Sequence, residues 1–229
     1  MSADRDDMTV LESLLAGRWS CRGYLQEPVA ADVVERLLLA AARTPSWCNT
    51  QPWRVDVLSG EAARRLSTRM LEALETGGAG SGSDFSFPEA YTGVHRERRR
   101  ESGWQLYDAV GVERGDREAS AAQGLRNFEL FGAPHVAVIS SPAELGTYGA
   151  VDCGLYLQTF LLAAHALGLG ACAQAALAGL SPLLHAELGL GEERRVVCGI
   201  SFGHPDTEHP TAGYRTTRAP LEETVTLHG

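Results

Sequence analysis

Cysteine is too sparse and too irregularly placed here for a disulfide framework or a zinc site. The five residues, at 21, 48, 153, 172 and 198, are odd in number and include no CxxC pair. Such usage fits a reducing compartment, and the expected location is the cytoplasm. Positive charge is in deficit, with 20 Lys and Arg against 29 Asp and Glu and a net charge of -9 at pH 7. The overall field therefore repels nucleic acid and anionic membrane. None of the seven histidines falls in HExxH or another ligand spacing, so no metal is expected. No GxSxG or QACxG pattern occurs, and Ser46 and Cys48 have no histidine nearby in sequence. Nucleophilic catalysis is thus unsupported, and Cys48 reads as a small packing residue. A long hydrophobic run is missing too. The region 151–180 is interrupted by Asp152, Gln158, His165 and Gln174, and reads as a buried helix with a following loop, not a membrane span. The opening MSADRDDM is acidic and has no apolar core, unlike a signal peptide.

What remains is ordinary globular composition, 44% hydrophobic and 21% charged over 229 residues. Helical periodicity marks 7–17, 28–42, 60–76, the segment HRERRRESGWQLY, 117–129 and 149–167, with a short helix from Ser181 and Pro182. Strand character marks the alternation of Trp53, Val55 and Val57, the apolar run from Pro134 to Ser140, and Arg195 to Phe202. Strands alternating with more numerous helices give an α+β or α/β sandwich. Nothing divides the chain, so residues 1–229 are expected to form a single domain. The Gly/Ser-rich segment 77–88 is expected to be a mobile loop, and the polar segment 205–229 a C-terminal arm.

Gly168, Gly170 and Ala173 form a loose dinucleotide fingerprint, but they follow a long helix instead of opening one. Gly168 reads as a left-handed cap ending that helix. His135 and His165 lie in apolar surroundings and read as satisfied core histidines. The basic run His95, Arg96, Arg98, Arg99, Arg100 is interrupted by Glu97 and Glu101. It is either a solvated or salt-bridged helix face or a wall turned toward an anion. Two arginine pairs, Arg18 with Arg22 and Arg215 with Arg218, lie outside the regular helical pattern and near hydroxyl residues. Guanidinium groups pair strongly and bidentately with phosphate, so four from opposite ends of the chain could neutralise one dianion.

The stretch TPSWCNTQPW, residues 44–53, packs two prolines, two tryptophans and several polar side chains into one connection. It resembles the Pro-Ser-x-x-Asn-x-Gln-Pro-Trp loop of the FMN-dependent nitroreductase family. RWSCRGY resembles that family's Arg-x-Ser-x-Arg-x-aromatic opening, and GLGACAQAAL its Gly-Leu-Gly flavin-edge loop. VVCGISFGHPD resembles its closing strand and RTTRAPLEE its arginine-containing tail. The pieces occur in family order over about residues 10–225. RERRRESGWQLY, RNFELFGAP and AQAAL further resemble a nitrobenzoate reductase-like subgroup.

The resemblance implies an α+β three-layer α/β/α sandwich with a mixed central sheet, and a domain-swapped homodimer with FMN at the interface. It implies that Arg18, Trp19, Ser20 and Arg22 line the phosphate and ribityl end, and that Arg218 and Arg215 complete the phosphate clamp. Asn49 would meet the pyrimidine edge of the flavin through both groups of its amide. Ser46 and Gln51 would add hydrogen bonds, with Pro45 and Pro52 holding the loop extended and Trp53 anchoring it. Gln174, Ala175 and Ala176 would present backbone N–H groups near flavin N5. Trp19, Trp47 and Cys48 depart from the smaller or more polar residues usual in these motifs, and both tryptophans add bulk near the cofactor. Thr216 stands where many members carry a lysine. The implied activity is ping-pong hydride transfer from NAD(P)H through FMN to a nitroaromatic, quinone or related electron-poor acceptor, with no catalytic side chain. Alternatives are an FMN-dependent dehydrogenase or oxidase using oxygen, and a non-catalytic flavin-binding protein.

Overall fold

The computed structural model describes residues 6–76 and 82–229. Four strands make one sheet: β1 (Arg54–Ser59), β2 (His135–Pro142), β3 (Gly170–Gln174) and β4 (Arg194–Gly203), in the order β1-β2-β4-β3. Successive β2 residues point to opposite faces, as the two-residue period of a strand requires. Ala137 and Ile139 join one core with Ile200 and Phe202 of β4, Leu37 and Ala41 of α2 (Ala31–Ala41), and Tyr156 and Phe160 of α6 (Gly146–Ala166). Val136 and Val138 face the other way, onto Leu66 and Met70 of α3 (Glu61–Glu75) and Leu183 and Leu184 of α7 (Ser181–Leu188). Helices thus cover both faces of the sheet, which is the expected three-layer α+β sandwich.

The sheet itself differs from the mixed one expected. All three ladders, β1–β2, β2–β4 and β3–β4, are antiparallel. Among the described residues, parallel pairing at the β3 edge is limited to one bridge, Ser20 to Ala171, with the Cys21 N–H donating to the Ala171 carbonyl at 3.1 Å. The segment past Cys21 leaves that edge and forms its next bridge to Pro205 at Tyr24, so no parallel ladder develops. The GACAQ of β3, read as loop in sequence, is a strand because β4 pairs with it from Gly199 to Gly203. Gly168 ends α6 with φ +74, the left-handed cap that was expected.

The other α-helices among the described residues are α1 (Asp7–Gly17), α4 (Gly93–Ala109) and α5 (Arg117–Leu125). The expected loop 77–88 falls partly outside the described residues, since 77–81 are not among them. From Gly82 onward the chain is tied down: the Gly82 N–H donates to the Gly179 carbonyl at 2.8 Å, and its carbonyl accepts from Ser181 at 2.9 Å. The segment from 205 lies over α4 of its own chain, through Thr217 to Glu101 at 3.1 Å and Glu223 to Arg98 at 2.7 Å.

His135 is buried, and its Nε2 accepts the Val29 N–H at 2.9 Å while Nδ1 lies 2.7 Å from Ser59 Oγ. Burial first, and the neighbouring His204 second, hold its pKa below the ordinary 6.5. Below that value the unfolded chain binds a proton that the folded chain resists. Stability is therefore fully present above pH 6.5 and falls as the pH drops below it, by at most about 1.4 kcal/mol per pH unit for this one proton. Urea unfolding midpoints should decline below that pH, and His135→Gln should flatten the decline. A slope unchanged in the variant would assign the pH dependence to other groups.

Candidate functional site

The N-terminal loop 18–24 is held against the β3 edge by a small cluster of Cys21, Tyr24, Phe131, Ala133 and Cys172, with Trp19 packed on it. Gly170 permits this approach, since a Cβ there would stand 2.6 Å from Cys21 Sγ. The Tyr24 hydroxyl lies 2.9 Å from the Cys21 carbonyl and 3.0 Å from that of Ser201. So fixed, the loop presents Arg18, Trp19, Ser20 and Arg22 to a cavity of about 670 Å³.

The C-terminal segment supplies the facing wall with Tyr214, Arg215, Thr216 and Arg218, and α4 supplies Arg99, Arg100, Trp104 and Tyr107. The Arg215 guanidinium sits 4.8 Å over the Trp19 ring, so the bulky residue in the opening motif serves as a platform for a tail arginine. Six arginines line the cavity, and among the described residues lining it there is no carboxylate. The electrostatic consequence appears in the neighbours. Burial first, then the charge of Arg218, pushes the pKa of Arg18 below its ordinary value. Burial first, then Arg18 and Arg215, does the same to half-buried His165. A concentration of uncompensated positive charge at one concavity is the chemistry of an anion site, and guanidinium is suited to phosphate. Within the basic run, Arg98 follows the salt-bridged reading, whereas Arg99 and Arg100 line the cavity.

The loop at 44–53 lies elsewhere. It is coiled, not extended: Trp47–Asn49 form a single 3-10 turn, and Cys48, Asn49 and Gln51 have φ of 50, 56 and 48. Prolines fix only their own φ and bias the residue before them, so the stretch between Pro45 and Pro52 remains free to coil. Left-handed non-glycine residues cost about 1–3 kcal/mol each and gather at functional sites. The turn is held by the buried Asp152 carboxylate of α6, which accepts the Trp47 N–H at 3.1 and 3.2 Å, and by Trp53, whose ring centroid is 5.1 Å from that of Tyr156. Ser46 Oγ accepts the Gln51 N–H at 2.8 Å, and Gln51 Nε2 donates to the Asn49 carbonyl at 3.2 Å. Asn49, Gln51 and Pro45 are exposed.

Gln174 is committed to the interior. Its Nε2 donates to the Asn127 carbonyl at 2.7 Å and its Oε1 accepts from Ser201 Oγ. Any contact it makes with a ligand must therefore use the backbone. Ala175 and Ala176 open a 3-10 turn, Ala175–Gly179, and the first N–H groups of a helical turn have no partner within it.

One chain does not bring these groups together. The loop is pinned at Asp152, while Gly17, beside Arg18, packs on His165 closely enough that a Cβ would stand 2.5 Å from Nε2. Asp152 and His165 are thirteen residues apart on α6, about 20 Å along a helix axis. The arginine cavity and the polar loop thus sit toward opposite ends of that helix. Beside the loop, at its N-terminal end, α6 exposes Tyr148, Val151 and Leu155, at i, i+3 and i+7 on one face.

The chain thus combines a three-layer α+β fold with an arginine-lined cavity and a polar loop in left-handed conformation. The chain belongs to the Nitroreductase family, whose model matches residues 15–204. It is 37% identical over 217 residues to Nitroreductase NfnB of Mycolicibacterium smegmatis, covering 93% of this chain and 91% of that protein. It is 34% identical over 220 residues to a 4-nitrobenzoate reductase of a Nocardioides species, covering 94% and 89%. The crystal structure of the FMN-dependent nitroreductase NfnB from Mycobacterium smegmatis in complex with NADPH superimposes with a TM-score of 0.92, at 34% identity, over 98% of this chain and 100% of that one. Among the described residues no helix is long and apolar enough to cross a membrane, and no group of three or more His, Cys, Asp or Glu is placed to hold a metal ion.

Proposed function

We propose that this protein is an FMN-dependent nitroreductase that draws electrons from NAD(P)H and passes them to a nitroaromatic or similarly electron-poor acceptor. The carrying observation is the cavity with six arginines and, among the described residues lining it, no carboxylate. Its relatives carry the matching names: a nitroreductase and a 4-nitrobenzoate reductase, and a solved structure described as FMN-dependent and bound to NADPH.

Arg18, Arg22, Arg215 and Arg218 would hold the FMN phosphate, with Ser20 beside them. Asn49 would meet the flavin edge with its amide, supported by Ser46, Gln51 and Pro45. The N–H groups of Ala175 and Ala176 would face the ring where negative charge collects, with Gln174 holding the strand end in place. When bound, FMN supplies the hydride chemistry, taking two electrons from NAD(P)H and giving them to the acceptor in turn. The chain's own part is to hold, orient and shield; no side chain is needed as a nucleophile.

The separation of cavity and loop along α6 supports a homodimer. A twofold interface is self-complementary, and packing α6 against its copy through Val151 and Leu155 would bring the loop of one chain toward the cavity of the other. We take the working unit as one domain per chain with the 205–229 segment as an arm, operating in the cytoplasm. Purified protein should show flavin absorbance, elute at twice the 24.5 kDa chain mass, and consume NAD(P)H in the presence of 4-nitrobenzoate. Flavin bands that bleach with NAD(P)H and recover only with oxygen would favour an oxidase. Protein that cannot be loaded with FMN would sink the reading.

A further inference from the structure

The cavity holds more positive charge than the FMN phosphate requires. A phosphate monoester carries about two negative charges near neutral pH, and Arg18, Arg22, Arg215 and Arg218 already exceed it. Arg99 and Arg100 enter the same cavity from α4. The other arginines of the basic run are not so placed: Arg98 is paired with Glu223 at 2.7 Å, and Arg96 does not line the cavity. Arg100, Trp104 and Tyr107 fall at i, i+4 and i+7, on one face of α4, and all three line the cavity. The wall therefore combines guanidinium groups with aromatic surface, the pairing that receives a phosphorylated base: charge-assisted bonds for the phosphate and stacking for the ring.

The position discriminates between possible anions. Arg99 and Arg100 share the cavity with the arginine clamp and stand away from the 44–53 loop, which is pinned near the other end of α6. An acceptor must reach the flavin ring to be reduced, so a small carboxylated acceptor has no reason to anchor beside the phosphate clamp. A dinucleotide donor does reach that far, because its adenosine end extends well beyond its nicotinamide. NADPH brings about two charges on its diphosphate bridge and about two more on its 2′-phosphate. With FMN these balance six guanidinium groups; NADH leaves the balance short by the 2′-phosphate.

We propose that Arg99 and Arg100 form the subsite for the 2′-phosphate of NADPH, with Trp104 as the surface for its adenine, and that this pair sets a preference for NADPH over NADH. The inference rests on the flavin reading above and adds the residues that select the donor. It assigns Arg99 and Arg100 no part in holding FMN.

The test is a calorimetric titration of the FMN-loaded protein with adenosine 2′,5′-bisphosphate and with adenosine 5′-monophosphate. The parent should bind the bisphosphate about tenfold tighter or better, and the R99Q/R100Q variant should bind the two alike. In steady state the variant should raise the KM for NADPH by a similar factor and leave that for NADH in place. Flavin absorbance in the same samples separates the two levels of the argument. Parent protein that takes up no FMN overturns the underlying reading. Flavin-loaded parent that does not distinguish the two nucleotides overturns this inference alone. Loss of flavin from the double variant would make the pair part of the clamp. A variant that keeps nucleotide discrimination but has a KM for 4-nitrobenzoate raised about tenfold, with that for nitrobenzene unchanged, would hand the pair to the acceptor. Either of these last two results also overturns the proposal.

Discussion

Replacing Arg218 with alanine is expected to lower FMN affinity by about tenfold to a hundredfold and to leave riboflavin affinity within about twofold of the parent. Among the described residues, the guanidinium of Arg218 hydrogen-bonds only within its own segment, to the Thr216 carbonyl at 3.2 Å, Thr216 Oγ1 at 3.0 Å and the Thr217 carbonyl at 2.8 Å. Removing it breaks no tertiary hydrogen bond, so the fold should survive. What is lost is a cation facing the cavity, close enough to Arg18 for its charge to lower that residue's pKa. A charge-assisted hydrogen bond contributes about 1.5–3 kcal/mol, and one such partner accounts for the expected loss. Riboflavin has no phosphate and should not register the change. Fluorescence titration with both ligands decides the matter: equal losses for the two, or none for either, would make Arg218 ordinary surface charge.

The parts of this molecule that were legible in the sequence are those in which one element alone carries the signal. The periodicity of Val33, Val34, Leu37 and Leu38 gives α2, and the apolar runs at 134–140 and 195–202 give the two central strands. β3 was missed because Gly170, Ala171, Cys172 and Ala173 are small and none is β-branched; its strand conformation comes from the pairing with β4, which is tertiary. The loop motif announced itself by composition, but its left-handed turn did not. The conformations at Cys48, Asn49 and Gln51 are stabilised by Asp152, more than a hundred residues later. The arginine cavity was half legible. The pairs at 18 and 22 and at 215 and 218 stood out as arginines outside helical pattern, whereas Arg99 and Arg100 sat in a run whose charges alternate as on any solvated face. Only the packing of α4 beside the C-terminal segment separates Arg98, which is paired, from its two neighbours, which face the cavity.

Asp84→Ala should be among the most destabilising single substitutions in the chain, at about 2–3 kcal/mol. Asp84 Oδ2 accepts the Val196 N–H at 2.7 Å and faces His185 Nε2 at 2.9 Å. The other ring nitrogen of His185 faces the Leu190 carbonyl at 3.1 Å. Both side chains are largely shielded, 15% exposed for Asp84 and 19% for His185. Val196 is fully buried in β4 and lies opposite Ser140, where the β2–β4 register shifts. The carboxylate therefore serves a strand N–H at an irregularity in the sheet and fastens α7 to the segment entering at Gly82. Truncation leaves the Val196 N–H buried without its acceptor and takes away the partner of His185 Nε2, and the cost of unpairing them is the larger part of the effect. Asp84→Asn keeps the size and one acceptor oxygen and should lose roughly half as much by the same reasoning. In a double-mutant cycle, His185→Ala should cost less in the Asp84→Ala background than in the parent, with a coupling of about 1 kcal/mol or more. The consequence reaches the site, because residues 85–92 run from this clasp directly into α4 and its arginine wall. Amide exchange across Gly93–Ala109 should quicken in the alanine variant while that of β2 follows only the global loss. A urea midpoint equal to the parent's, or an Asp84→Asn variant as unstable as Asp84→Ala, would refute the clasp as described.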